Sequence, residues 1–482
     1  MVDIRPVAYV IGRILIVLAI LMVAPAIIDW RAGLENGVKF LQCAAITGVV
    51  GGALALSSVN SLGRSLDTRQ AYLLTAAIWV LVPAFGALPF YIGAPGLSLS
   101  NAYFEAVSGI TTTGATVIVG LDDLPAGMNL WRGMLNWLGG LGIAFIAMIF
   151  LPLMRIGGMQ FFRTEGFDTF GKALPRATDI ARQLLIVYVL LTVACVTTYL
   201  LIGMTALDAV VNGFATIATG GFSPTDISFS KYTGAGEYFG ALFMFLGSLS
   251  YIRYVQLVNG SAWPLWQDLQ ARAYLRWLLG AVVMVAAWQV FHADMAVEPA
   301  FREALFNLTS IMSGTGFFSG TFGGWGAFSM IIAFVLGLIG GCSGSSSGAL
   351  TIFRVQVALS ALGREIRRIS NPNSIDPVKY AGRTVNADVM SALMMFVTSY
   401  IFIIGVLSTA MTLFGVDPVS SLFAVWQAIG NIGYGYGPLI ARTGTFVDFP
   451  TAAIWIMTLA MILGRLGLLA ILVLVLPSFW RR

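Results

Sequence analysis

Four stretches of this chain superimpose, and each closes on glycine. Residues 102–114 read AYFEAVSGITTTG, 209–221 AVVNGFATIATGG, 304–316 ALFNLTSIMSGTG and 421–433 SLFAVWQAIGNIG. In register, Phe104, Val211, Phe306 and Phe423 coincide, as do Ile110, Ile217, Met312 and Ile429, and the terminal glycines Gly114, Gly221, Gly316 and Gly433. The second stretch is the least regular, because Gly220 stands beside Gly221 and either can take the terminal place. Those glycines lie 107, 95 and 117 residues apart, a period too long for a solenoid. A unit of two membrane spans with a short re-entrant segment between them suits it. Four such units around one axis enclose a pore lined by backbone.

A membrane setting follows from composition. The chain is 58% hydrophobic and 10% charged, against roughly 25% charged residues in soluble domains. About 20 apolar residues span a bilayer core. Ten such runs lie near 8–29, 38–60, 71–92, 130–153, 183–203, 237–258, 274–292, 327–353, 389–413 and 451–477. The N-terminal run continues past signal-peptide length and has no cleavage pattern. The four motifs fall between runs three and four, five and six, seven and eight, and nine and ten. At about a dozen residues each they reach half depth and return. The expected fold is an all-α integral membrane protein: two leading spans (1–69), then four pseudo-symmetric span–short helix–span repeats at 70–181, 182–270, 271–383 and 384–482.

Basic residues orient it. Eighteen Lys and Arg fall in one set of loops and ends. Six (Arg31, Lys39, Arg132, Lys231, Arg302 and Arg442) fall in the other, and Arg13, Arg253 and Arg465 fall within spans. The basic side is cytoplasmic by the positive-inside rule, so both termini are expected in the cytoplasm and the motifs enter from outside. All repeats then share one orientation, unlike the inverted repeats of many secondary transporters. Other chemistries lack their residues. Cys43, Cys195 and Cys342 have no CxxC spacing, so neither zinc nor a disulfide framework is indicated. His292 lies near a span end, as an interfacial side chain does. There is no GxxxxGK[ST] loop and no soluble segment long enough to bind a nucleotide, and no enzyme activity is expected.

The hairpin residues Thr111, Thr112, Thr113, Gly114; Ala218, Thr219, Gly220, Gly221; Ser313, Gly314, Thr315, Gly316; and Gly430, Asn431, Ile432, Gly433 carry no charge. Charged rings, expected for divalent cations or anions, are therefore missing. Backbone carbonyls can replace the hydration shell of a monovalent cation, and glycine tolerates the positive φ that this requires. Each short helix points its partly negative C-terminus inward, which favours a cation. An ion-coupled secondary transporter with a substrate site is the alternative from another class.

FEAVSGITTTGATV, FATIATGGFSPTD, SIMSGTGFFSG and GNIGYGYGPL resemble the four pore loops of the Trk/Ktr/HKT superfamily of potassium transporters. The two leading spans and the FFRTEGFD…LPRATDIARQLL stretch place the resemblance on the bacterial TrkH-type branch. It covers essentially the whole chain. It implies potassium uptake across the bacterial inner membrane through a pseudo-tetrameric pore. It also implies a homodimer and a cytosolic nucleotide-binding regulatory ring (TrkA-like); the basic loop around 354–383 is the best docking surface for a partner, though lipid headgroups explain its charge equally well. No organic cofactor is implied. The filters lack repeated TVGYG, so weaker discrimination against sodium than in strict potassium channels is expected.

Two further features gain from that resemblance. In residues 340–350, GGCSGSSSGAL, all but Cys342, Ala349 and Leu350 are glycine or serine. Glycine weakens helix and serine competes for backbone hydrogen bonds, so the stretch reads equally as unwound backbone or as small-residue helix packing. The resemblance implies an intramembrane gating loop built from Gly340, Gly341, Cys342, Ser343, Gly344, Ser345, Ser346, Ser347 and Gly348. Arg465 sits mid-span with no acidic residue on the same run. An arginine there costs roughly 2.5–3.5 kcal/mol on insertion scales and faces a protein interior or cavity. The resemblance implies a fixed charge below the filter. Gly467 stands where Trk members often carry an acid, as in the Ktr branch. Glu105 is read as a structural carboxylate at the start of the first short helix, and Asp122 and Asp123 as a solvated loop at the outer mouth.

Overall fold

The computed structural model describes residues 3–61, 67–145, 177–372, 377–466 and 477–480. Gly467, the FFRTEGFD stretch and the ends of the fourth and tenth apolar runs lie outside them. The described chain is helical, apart from a two-stranded antiparallel hairpin pairing Lys379 with Thr384 and Tyr380 with Arg383. Among the described residues six helices are long and apolar enough to cross a membrane: Arg5–Arg31, Asn36–Ser57, Arg69–Ile92, Ala181–Leu201, Leu269–His292 and Ala387–Thr412.

The leading pair packs through glycine. Side chains at Gly12 and Gly51 would strike the opposite backbone at 2.6–2.8 Å, so the two helices cross at backbone contact. The turn between them is fastened to the first repeat by Asp29, which is fully buried. Its carboxylate accepts from Asn36 Nδ2 and from the Gly127 amide, both at 2.6 Å, while Asn36 Oδ1 accepts from the Ala94 amide at 2.9 Å.

Four short helices occupy the positions read as re-entrant: Leu99–Ile110, Ala206–Ile217, Val297–Ser313 and Pro418–Gly430. At 1.5 Å per residue they span about 18–26 Å, short of a full bilayer core. Ser98, Thr205 and Asp417 cap three of them, each accepting from the amide three residues on. The helix after each of three hairpins carries a glycine against its base. Side chains at Gly139, Gly247 and Gly464 would meet the carbonyl oxygens of Ile110, Ile217 and Ile429 respectively. Two apolar cores divide the ring. One joins the leading pair with the first and fourth repeats; the other joins the second and third.

Two expected spans are broken. The sixth run turns by 89° between Ala235–Gly247 and Tyr251–Val258. At the break, Ser248 Oγ sits 2.9 Å from the carbonyl oxygens of Met244 and Phe245, the back-bonding by which serine weakens a helix. The eighth run divides into Gly326–Ile339 and Ile352–Ser370, with irregular backbone between them.

Candidate functional site: four hairpins and the loop beneath them

Each short helix ends in the same backbone alternation. Thr112, Thr219, Gly314 and Asn431 have φ of 50°, 50°, 78° and 51°, and two residues on Gly114, Gly221, Gly316 and Gly433 have φ of 82°, 70°, 84° and 78°. This register settles the doublet left open by sequence. Gly221 is the fourfold equivalent, and Gly220 stands with Thr113, Thr315 and Ile432. Gly220 has its own constraint, since a side chain there would meet the buried Asn136 amide at 2.6–2.9 Å. Threonine rarely adopts positive φ, and such residues cluster at binding sites. Two of them stand here at equivalent positions of the first and second hairpins.

The hairpins close into a ring. A side chain at Gly114 would fall on the carbonyl oxygen of Gly220, at Gly221 on that of Thr315, at Gly316 on that of Ile432, and at Gly433 on that of Thr113. A hydroxyl pair recurs within the first and the third hairpin: Thr111 Oγ1 with Thr113 Oγ1 at 2.8 Å and Ser313 Oγ with Thr315 Oγ1 at 2.7 Å. Asn431 Nδ2 joins the fourth hairpin to the first, donating to Thr113 Oγ1 at 2.9 Å and to the Met461 carbonyl at 3.0 Å. Ala218 and Ile432 are buried with them. Above the ring lies a cavity of about 840 Å³ lined by all four terminal glycines, with Asp226 and Arg132 on its wall.

Below the ring lies the 340–350 segment, which is unwound. Gly340, Gly344, Ala349 and Thr351 all have positive φ. Its small residues reach the bases of the second, third and fourth hairpins. Ser347 Oγ donates to the Ser313 carbonyl. Ser346 Oγ sits 3.3 Å from the Ile217 carbonyl oxygen and 3.2 Å from that of Gly247. A side chain at Gly348 would strike the Gly430 carbonyl. Gly341 packs against Ser347, the Cys342 amide donates to the Ser248 carbonyl at 3.0 Å, Ser343 Oγ pairs with Thr351 Oγ1 at 2.7 Å, and Ser345 Oγ donates to the Cys342 carbonyl at 2.7 Å. Arg465 completes the contacts. Its Nη1 donates to the Ser346 carbonyl at 2.9 Å, its Nε to the Thr111 carbonyl, and its Nη2 to Thr112 Oγ1. The guanidinium therefore bridges loop and first hairpin through oxygen atoms that carry no formal charge.

The pair that sequence reasoning missed is Glu105–Arg132. Glu105 is not at a helix start but on the seventh residue of Leu99–Ile110, fully buried. It accepts from Arg132 Nε at 3.0 Å, the Val117 amide at 3.1 Å and Thr116 Oγ1 at 2.9 Å. Arg132, placed in an outer loop by the sequence reading, lies inside Ala126–Phe145 and donates onward to the Ser223 carbonyl at 2.8 Å. The pair braces the limbs that leave the first and second hairpins. Asn307 has the equivalent place in the third repeat, and its Oδ1 accepts from the Ser319 amide at 3.1 Å. A polar residue nine positions before the fourfold glycine was the available signal. Asp122 is likewise engaged, accepting from the Asp226 amide at 3.1 Å, while the Asp226 carboxylate accepts from Gly120 and Leu121 amides. These acids clasp together the loops that follow the first and second hairpins.

Comparison with known proteins agrees with this architecture. The sequence model of the TrkH family, described as a cation transport protein, matches residues 36–482. The Trk system potassium uptake protein TrkI of Halomonas elongata is 35% identical over 99% of this chain and 97% of its own length. The Trk system potassium uptake protein TrkH of Escherichia coli is 32% identical over 99% of both chains. The crystal structure of the potassium transporter TrkH from Vibrio parahaemolyticus superimposes with a TM-score of 0.91 at 28% identity, covering 100% of both chains. With the matched region running from the second leading helix to the C-terminus, the chain belongs to the TrkH family of cation transport proteins.

Proposed function

We propose that this protein takes up potassium across the bacterial cytoplasmic membrane through the axis of the four hairpins. The observation that carries the reading is the closed ring, in which every fourfold glycine abuts a carbonyl of the next hairpin. Dehydration of a monovalent cation is offset by carbonyl oxygens, supplied here by residues 111–114, 218–221, 313–316 and 430–433. The outer cavity collects the hydrated ion, and the short-helix C-termini favour its charge on the inner side. The repeats 70–181, 182–270, 271–383 and 384–482 act as four equivalent staves, with both termini in the cytoplasm.

The loop 340–350 and Arg465 close the inner mouth in this reading. The serine hydroxyls occupy hairpin carbonyls that an emerging ion needs, and the guanidinium opposes a cation directly. Opening swings the loop aside about its glycines. A homodimer, and a TrkA-like nucleotide-binding ring on the basic cytoplasmic surface, complete the proposal. The names of the relatives support potassium as the ion.

The test is uptake of radioactive rubidium into proteoliposomes holding the purified protein, with potassium, sodium or lithium as competitor. Uptake suppressed by potassium and little by sodium is expected. Uptake that depends on a co-transported solute, or is suppressed equally by all three cations, contradicts the reading.

A further inference from the structure

The segment joining Tyr251–Val258 to the long span Leu269–His292 puts two tryptophans on the surface. Trp263 and Trp266 are 68% and 73% exposed on one short helix, Trp263–Trp266. Arg272 and Arg276 stand exposed at the adjoining end of the span. Arg272 Nε donates to the Trp266 carbonyl at 2.8 Å, folding the short helix back onto the span, and Arg276 Nε donates to the Arg272 carbonyl at 3.2 Å. Farther along, Leu275, Leu279 and Val283 are exposed, as on a flank facing lipid. The tryptophans and arginines thus sit where a span leaves the hydrocarbon. That is the level at which tryptophan settles and basic side chains meet anionic headgroups.

The same turn is fastened to the intramembrane loop on both of its arms. On one arm the Tyr251 amide donates to the Gly344 carbonyl at 3.0 Å. On the other, Gln270 Oε1 accepts from the Ser343 amide at 2.8 Å, in the protein interior. Asp268 ties the arms together: its Oδ2 pairs with Arg253 Nε at 2.6 Å, and its Oδ1 accepts from the Gln270 and Ala271 amides at 2.8 and 3.0 Å. A displacement of the turn must therefore alter the bonds that hold Ser343 and Gly344.

We propose that Trp263, Trp266, Arg272 and Arg276 form a binding site for anionic phospholipid headgroups, and that its occupation holds Tyr251 and Gln270 against the loop and favours the closed position. An anionic lipid fits because two cations stand among exposed aromatic rings, on a flank whose next exposed residues are apolar. The inference rests on the reading of 340–350 as the gate. The test uses the full chain in bilayer discs of phosphatidylcholine, with or without phosphatidylglycerol. The readout is the rate at which a soluble maleimide reaches Cys342, which is buried in the loop, after subtraction of labelling that remains in Cys342→Ser. Phosphatidylglycerol is expected to slow labelling about fivefold or more, fivefold being the scale of one basic side chain at an anionic leaflet. The double variant Arg272→Gln/Arg276→Gln loses the slowing, Gln270→Ala labels fast in both lipids, and inorganic phosphate added to phosphatidylcholine discs changes nothing. Labelling indifferent to phosphatidylglycerol, slowing that persists in the double variant or in Gln270→Ala, or an equal effect of free phosphate overturns the proposal. The readout needs no ion flux. Absent rubidium uptake beside intact lipid-dependent labelling counts against the conduction reading alone.

Discussion

Arg465→Ala is expected to raise rubidium leak through the unstimulated protein by about tenfold, 1.4 kcal/mol of barrier. Two effects act in the same direction. The substitution removes the hydrogen bonds that join the loop at Ser346 to the first hairpin at Thr111. It also removes a positive charge beneath the ring that opposes a permeating cation. Arg465→Lys separates the two. Lysine keeps the charge but not the planar fork that reaches three oxygens at once, so its leak should fall between wild type and alanine. The check is initial uptake per folded protein, with folded protein counted by size-exclusion chromatography. Unchanged leak in both variants contradicts a gating role for this side chain.

Gly316→Ser is expected to reduce the preference for potassium over sodium by about tenfold or more, again 1.4 kcal/mol of discrimination. The reason is local. Gly316 has φ of 84°, a conformation costing an L-residue roughly 1–2 kcal/mol, and any Cβ there falls on the Ile432 carbonyl oxygen. The fourth hairpin must move to make room, and the ring it shares with Gly433 and Thr113 widens. Gly324 provides the control. It lines the same outer cavity, yet a side chain there meets nothing within 4 Å, so Gly324→Ser should leave competition by sodium unchanged. Competition curves for the two variants decide this. Equal sodium competition in both removes Gly316 from the filter.

The fourfold plan was legible in sequence because its constraint is conformational and falls on residue type. A backbone that must take positive φ beside a neighbouring carbonyl accepts little except glycine, so Gly114, Gly316 and Gly433 stood out in register. Where two glycines adjoined, sequence could not rank them. The structure separates them by job, Gly221 for conformation and Gly220 for clearance past Asn136. The break at 340–350 was visible as a run of glycine and serine. The bend at Ser248 to Ser250 was not, because two serines in an apolar run look the same on either side of a turn. Glu105 and Arg132 were separately visible, but they stand 27 positions apart, and neither residue's periodicity announces a buried ion pair. Arg465 was legible as an anomaly of cost, whereas its oxygen partners, Thr111 and Ser346, come from two distant repeats.

Whether the cation crosses on the axis of these four hairpins is decided by the position of rubidium in crystals of the protein grown or soaked in rubidium salt. Anomalous scattering distinguishes the ion from water by element. A peak is expected on the axis within the ring of Thr113, Gly220, Thr315 and Ile432, weakened by Gly316→Ser. A peak confined to a pocket between helices away from that axis, with none in the ring, would contradict passage through the hairpins.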